Sequence, residues 1–509
     1  MQTLPTASSS DASATPSYGM EDWRSGYRSQ PEEFAYWIDA VEGEIPAALT
    51  GTLFRNGPGL LDVQGHPVSH PFDGDGMISS IAFHQGRAYY RNRFVQTEGY
   101  VAEKAAAKPL YRGVFGTQKP GGFWANLFDL RLKNIANTHV IYWGKKLLAL
   151  WEAAEPHRLD PETLETLGLE YLDGLLEPGD AFAAHPRIDP GQPDQGIEPR
   201  LVNFSVKTGL SSTITIHEFA TSGSCVKSYH RSIPGFAFMH DFAITPNYAV
   251  FFQNPVGFNP FPFLLGLKGA GECVQFNPKA TTKIILIPRH SDGPIQFIEA
   301  PAGFVFHHAN AFEQDGKVFV DSIVYDSFPT LDEGMTFEAV DFDKVPAGQL
   351  WRFELDLTAE TAAATCLISR SCEFPALHPQ QVGQPYRYLY IGAAHAPTGN
   401  APLQALLKRD LATGVEQLWS EAPRGFMGEP VFVPRPGSSA EDDGWLLCLT
   451  YNAARQCSDL IILAAQDIAA GPIARLQLKH HVPYGLHGSF TPDYFGPDVA
   501  AAGEPALTA

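Results

Sequence analysis

Short apolar and aromatic runs recur along this chain, each closed by a turn bearing Gly, Asp or Lys. Residues 140–143 (VIYW) and 147–151 (LLALW) flank Gly144, Lys145 and Lys146, which reads as two strands joined by a turn. Runs at 249–252, 318–320, 351–355, 386–391, 431–433 and 445–449 repeat the theme. Several are followed by an Asp in a turn and then a return strand, as at Asp160, Asp356 and Asp410. Asp356 and Asp410 are 54 residues apart, and Asp467 lies 57 further on. That interval is about one β-propeller blade, roughly 40–50 residues before insertions. The pattern predicts an all-β chain of repeated blades, without a Trp-Asp or kelch signature.

Other stretches depart from the repeat. Residues 27–45 read as a short docking segment, and 51–59 (GTLFRNGPG) as a strand ending in a tight turn. The Asp-Gly repeats of 70–77 resemble a calcium loop, but the place of the bidentate glutamate is taken by His84, so they read as turn chemistry. Residues 121–130 (GGFWANLFDL) read as a short aromatic helix, with Phe123, Trp124 and Leu127 on one face. Residues 254–267 (NPVGFNPFPFLLGL) are strongly apolar, and their prolines are expected to break both strand and helix. Phe258, Phe261, Phe263, Leu264 and Leu265 would form a second patch there. Two readings stay open for these segments: loops packed on the core, or an exposed apolar patch that touches a membrane.

Composition narrows the function. Among 509 residues, 46 Gly, 41 Pro and 34 Phe favour short strands and tight turns, with aromatic surface to spare. A net charge of -20 argues against nucleic acid and against anionic lipid, so any membrane contact would have to be apolar. The six cysteines contain no C-x-x-C pair and read as reduced, cytosolic thiols. Residues 1–18 read as a disordered arm without the apolar core of a signal peptide, 19–495 as one propeller domain with insertions, and 496–509 as a flexible tail. No apolar run approaches the ~18 residues of a membrane span. The expected location is the cytoplasm, with peripheral membrane contact only if the apolar segments are exposed.

The candidate chemistry lies in four histidines with similar apolar neighbourhoods: His185, His240, His307 and His487. They are separated by 55, 67 and 180 residues, close to one, one and three blade lengths. A propeller brings one inner strand per blade to its axis, so residues at equal height converge. In a strand, adjacent side chains point to opposite faces, so only one of His307 and His308 can face such a site. A cysteine-free set of neutral imidazoles suits Fe(II), Cu(II), Zn or Ni. Ligating histidines usually donate their other N–H to a carboxylate. Glu152, Glu373 and Glu429 adjoin apolar strands, where an unpaired carboxylate would be costly. Each could instead serve a turn or an ion pair. Three carboxylates against a divalent ion would leave a local charge near -1.

The stretches RNGPG (55–59), FDGDGM (72–77), NTHV (137–140), FMHDF (238–242), FHHANAFE (306–313), CEFP (372–375), GEPVFVP (428–434) and GLHGSF (485–490) occur in one order along the chain. In these motifs the chain resembles the carotenoid cleavage oxygenase family. The resemblance implies a seven-bladed propeller under a dome of loops and short helices. It implies one Fe(II) per chain on His185, His240, His307 and His487, with the spacing His-x-x-Asn selecting His307 over His308. It implies Glu152, Glu373 and Glu429 as the outer partners, and Thr138 as a residue whose methyl crowds an open iron position. Trp151, Phe238, Phe306, Tyr325, Phe374 and Leu403 would line a substrate tunnel. The implied reaction is cleavage of the 15,15' double bond of an apocarotenal by O2, giving retinal. No protein partner is implied. Alternatives are an oxygenase or isomerase of the same fold acting on another polyene or a stilbene, and a propeller hydrolase or binding module with a structural metal.

Overall fold

In the computed structural model, residues 17–192, 195–329 and 337–498 are described. Their strands form seven antiparallel blades around one axis, with two small two-stranded ribbons beside them. The innermost strands are, from blade two to blade six, His139–Trp143, Arg187–Asp189, Ala243–Ile244, Phe304–Gln314 and Cys372–Ala376. Gly425–Met427 and Val431–Pro434 share the inner edge of blade seven. Gly488–Thr491, near the end of the described chain, is the inner strand of blade one.

The continuous apolar runs follow from this arrangement. A blade is covered on both faces by its neighbours, so successive side chains enter different cores. Ile284 and Leu286 pack with Val305, Val320 and Phe353 of blade five, whereas Ile285 and Ile287 pack with Phe204 and Ile216 of blade three. Similar clusters fill the other five junctions.

Both ends of the chain lock the ring. Gly488–Thr491 pairs antiparallel with Gly51–Leu60, Phe54 opposite Ser489. Val41–Gly43 extends blade seven by pairing with Pro472–Gln477, and Ala35–Trp37 forms the outer edge of blade one. The segment expected to dock therefore supplies edge strands to two blades. Ser17 and Tyr18, assigned above to a disordered arm, are packed: Tyr18 lies edge-on to Phe342, and Ser17 Oγ donates to Gln404 Oε1. The rest of that arm, and the tail beyond Asp498, lie outside the described residues.

Three further expectations need correction. The strand at 51–59 does not end in a turn but runs buried to Leu60. Gly57 permits this, because a Cβ there would lie 2.5 Å from Gly485 Cα. Asp160, Asp356 and Asp410 each accept two backbone N–H bonds in the turn before the outermost strand of their blades. Asp467, in the turn before Pro472–Gln477, makes no such cap; it precedes the 3-10 turn Ile468–Ala470. Residues 254–267 contain both a strand, Val256–Phe258, and a helix, Pro260–Leu264. Proline breaks a helix interior but suits its first position, where Pro260 stands, and the Asn259 side chain accepts from Phe261 N.

The dome is fastened by buried charge. Lys133 Nζ lies 2.6 Å from both Asp75 Oδ1 and Glu103 Oε2. Asp73 accepts from Phe115 N, Thr117 N and Thr117 Oγ1, which accounts for the acidic Asp-Gly stretch as loop anchoring. No helix among the described residues is long and apolar enough to cross a membrane.

Candidate metal centre

His185, His240 and His487 each lie in the short approach to an inner strand, of blades three, four and one; His307 lies within the inner strand of blade five. Glu373 and Glu429 hold the corresponding places in blades six and seven, and Thr138 with His139 in blade two. Blades at equal height thus deliver side chains to one point on the axis. One ligand atom from each of the four histidines lies within 4.8 Å of the other three. His185 Nε2 and His240 Nε2 are 2.9 Å apart.

The outer nitrogens decide the tautomers. His307 Nδ1 is 2.6 Å from Glu373 Oε2 and His487 Nδ1 is 2.8 Å from Glu429 Oε1. His240 Nδ1 bonds Glu152 Oε2. An ionised carboxylate only accepts, so each of these Nδ1 atoms carries the proton and each Nε2 presents a lone pair. His307 Nε2 is buried and has no hydrogen-bond partner. Converging lone pairs without protons between them repel one another unless a cation takes them up. These residues therefore fit a divalent metal bound through Nε2. Among the described residues no carboxylate bonds His185.

The electrostatics differ from ring to ring: burial works to lower the His307 pKa, but Glu373 more than offsets it and leaves it above its ordinary value. Burial, and then the other imidazoles, push the His185 pKa well below its ordinary value. Burial also takes His487 down to about 4, although Glu429 opposes it. Burial works against the Glu429 charge, but His487 and Arg55 more than offset it and hold the carboxyl at about 2. Glu373 is likewise held below the usual range: burial raises it, and His307 more than compensates.

Arg55 is a residue that the sequence pattern does not single out. Its guanidinium bonds Glu429 Oε2 and donates to Leu486 O at 2.9 Å. It changes the charge count, because three carboxylates, one guanidinium and a divalent ion sum to zero rather than -1. The signal is present in RNGPG, but nothing local links Arg55 to Glu429 across 374 residues. His139 escapes the sequence pattern too. Its ring nitrogens lie 2.8 Å from Ala184 O and 3.2 Å from Gly488 O, beside two of the candidate ligand histidines. Thr138 is buried, and its carbonyl accepts from His487 N.

His308 points the other way, as strand alternation requires: its Nδ1 is 2.7 Å from Ser322 Oγ, and its ring packs on Phe252. Two of the tunnel candidates, Phe306 and Phe374, lie against the histidines. The Phe306 ring is 5.4 Å from His240, and Phe374 is 5.4 Å from His487. Phe374 reaches this place with φ 59°, a left-handed conformation that a phenylalanine rarely adopts. The Tyr325 ring is 5.9 Å from Phe306, and its hydroxyl donates to Glu373 Oε1. Trp151 is buried next to Glu152, and Leu403 packs beside Gly392, the cross-strand partner of Glu373. Phe238 belongs to a cluster with Phe304, Phe306 and Phe328 that continues to Phe258 and Phe276.

That aromatic path leads to the ribbon preceding the helix Pro260–Leu264. Trp124 is 82% exposed and Phe261 69% exposed, and Phe123, Phe128, Leu130, Leu265 and Leu267 are exposed as well. The expected aromatic helix is a single turn, Phe123–Asn126, with Leu127 half-buried as its cap. Phe258, Phe263 and Leu264 are half-buried. The two segments touch, Phe128 N donating to Leu264 O at 3.0 Å. Buried Arg112 pins them together by donating to the carbonyls of Asp129, Phe263 and Lys268.

Comparison with known proteins places this arrangement. The model of the retinal pigment epithelial membrane protein (RPE65) family matches residues 27–492. The chain is 56% identical to the apocarotenoid-15,15'-oxygenase of a Synechocystis strain, across 96% of this chain and 98% of that protein. It is 32% identical to isozyme III of the lignostilbene-alpha,beta-dioxygenase of Sphingomonas paucimobilis, over 88% and 92%. The isoeugenol monooxygenase of Pseudomonas nitroreducens is 30% identical, over 89% and 94%. A crystal structure of the cobalt-substituted Synechocystis oxygenase superposes with a TM-score of 0.92, covering 94% of this chain and 100% of that one. With seven blades, four converging imidazoles and a family match over nearly its whole described length, the chain belongs to the RPE65/carotenoid cleavage oxygenase family.

Proposed function

We propose that this chain is a non-haem Fe(II) dioxygenase that cleaves the central 15,15' double bond of an apocarotenal with O2, releasing retinal and a shorter dialdehyde. The observation that carries this reading is the convergence of four histidine ring nitrogens within 4.8 Å of one another beside an aromatic cluster. His185, His240, His307 and His487 would hold one iron, with Glu152, Glu373 and Glu429 fixing three of the rings. When bound, Fe(II) supplies the electrons that make O2 reactive toward an electron-rich polyene. The chain's own work is positional. Phe306 and Phe374 hold an extended apolar substrate beside the histidines, and Thr138 crowds one approach. The bond that is cut depends on how far the polyene slides before its end group stops. Two carbonyls account for both oxygen atoms and both carbons, so no side chain need supply or take a proton. The catalytic domain would span 19–495, with Ser17 and Tyr18 packed against it, and act in the cytoplasm.

The test is anaerobic reconstitution with Fe(II), then addition of an apocarotenal and O2 with chromatography of the products. Retinal is expected. Cleavage of a lignostilbene with the apocarotenal left intact would sink the substrate assignment.

A substrate this insoluble must come from a lipid phase, and the exposed patch around Trp124 and Phe261 gives it a route. With a net charge of -20, attachment would rest on apolar burial. Each large side chain taken out of water contributes about 1.5–3 kcal/mol. Trp124→Ser with Phe261→Ser should therefore lower partitioning onto neutral vesicles by roughly two to four orders of magnitude. Thermal stability and turnover in detergent should change little. Unaltered vesicle sedimentation by the double variant would show that the patch does not dock.

A further inference from the structure

The residues following three of the candidate ligands form one network. Arg187 lies two positions after His185, Asp241 one after His240, and His308 one after His307. The Arg187 guanidinium bonds Asp241 Oδ2 and donates to His308 O at 2.8 Å and to Phe242 O at 2.9 Å. Asp241 Oδ2 also accepts from His308 N at 2.8 Å, and its Oδ1 accepts from Phe242 N at 2.7 Å. One ion pair therefore ties together the backbones of blades three, four and five within two residues of three imidazoles. The strand that bears His307 is irregular here, its register shifting between Val305 and His308 and again between His308 and Asn310. Ladder hydrogen bonds alone therefore do not fix His307, and the Asp241–His308 bond spans that irregular stretch.

We infer that Arg187 and Asp241 are positioning residues for the metal centre: they set the spacing of His185, His240 and His307 across three blades, and so govern metal affinity and coordination geometry. The inference rests on the four-histidine reading above. Its consequence is specific. Breaking the pair should alter the site before it alters the fold, because every bond in the network meets a segment that carries a ligand. By comparison, Asp459 of blade seven is equally buried and takes Arg455 and Arg475 in the same manner, but none of these lies on a histidine segment.

The experiment is titration of the metal-free full-length chain with Co(II), following the visible absorption, for the wild type, Asp241→Asn and Asp459→Asn. Thermal unfolding of each metal-free protein is measured alongside. Asp241→Asn is expected to weaken Co(II) binding about 10-fold, the lower end of the cost of losing a direct partner of a ligand ring, and to shift the visible bands. Asp459→Asn should lower the unfolding temperature comparably and leave affinity and bands as in the wild type. If Asp241→Asn binds Co(II) with wild-type affinity and spectrum, or if Asp459→Asn weakens binding as much, the pair is merely structural and the inference fails. Arg187→Lys, which keeps the charge and loses the forked geometry, carries the same test should Asp241→Asn not fold. Failure of the wild type itself to bind one Co(II) would overturn the four-histidine reading instead.

Discussion

Alanine at any one of His185, His240, His307 or His487 is expected to abolish metal retention and turnover, whereas His308→Ala should keep both. Each of the four contributes one nitrogen to a group lying within 4.8 Å. Removing one leaves three imidazoles and a gap that water must fill. The loss in affinity should exceed the ~100-fold upper cost of removing an outer partner. His308 faces the opposite side of its strand, where its Nδ1 meets Ser322 Oγ. Its replacement leaves that buried hydroxyl without its partner, at a cost of about 1–3 kcal/mol in stability. Iron content of the purified variants separates the two cases. If His308→Ala came out empty and His307→Ala full, the assignment of strand faces would be reversed.

Glu429→Gln should be the most damaging change outside the histidines themselves. The carboxylate serves His487 Nδ1, Gly488 N and the Arg55 guanidinium at once. The Arg55 side chain is only 5% exposed, so the substitution strands a buried cation. Breaking such a pair from one side typically costs about 3–5 kcal/mol. The His487 ring also loses its charged acceptor, which should lower metal affinity about 10–100-fold. Glu373→Gln offers the contrast. Its partners are His307, Tyr325 and Phe374 N, with no guanidinium among them, so affinity should fall without a comparable loss of stability. Denaturant unfolding of the two metal-free variants, beside their metal affinities, checks the difference. Equal loss of stability in both would mean that Arg55 finds another partner.

Much of this molecule is legible in its amino-acid order alone. A central strand with apolar faces on both sides requires a continuous hydrophobic run, so Ile284, Ile285, Leu286 and Ile287 announce a blade covered on both sides. Blade-length spacing of His185, His240 and His307 follows from the same repeat. So does the choice of His307 over His308, because a strand alternates its faces. The outer glutamates are legible for a different reason: a carboxylate beside apolar strands needs a partner.

What the chain order could not reveal is who meets whom across the ring. Arg55 reaches Glu429, and Arg187 reaches Asp241 and His308, only because distant blades are brought to one axis. The N-terminal edge strands have no local signature, since their partners on the first and last blades exist only once the ring closes. Likewise, apolar residues at 121–130 and 254–267 read equally as core or as surface. Hydrophobicity specifies that a side chain gains by leaving water; only the packing of the dome left Trp124 and Phe261 largely exposed among the described residues.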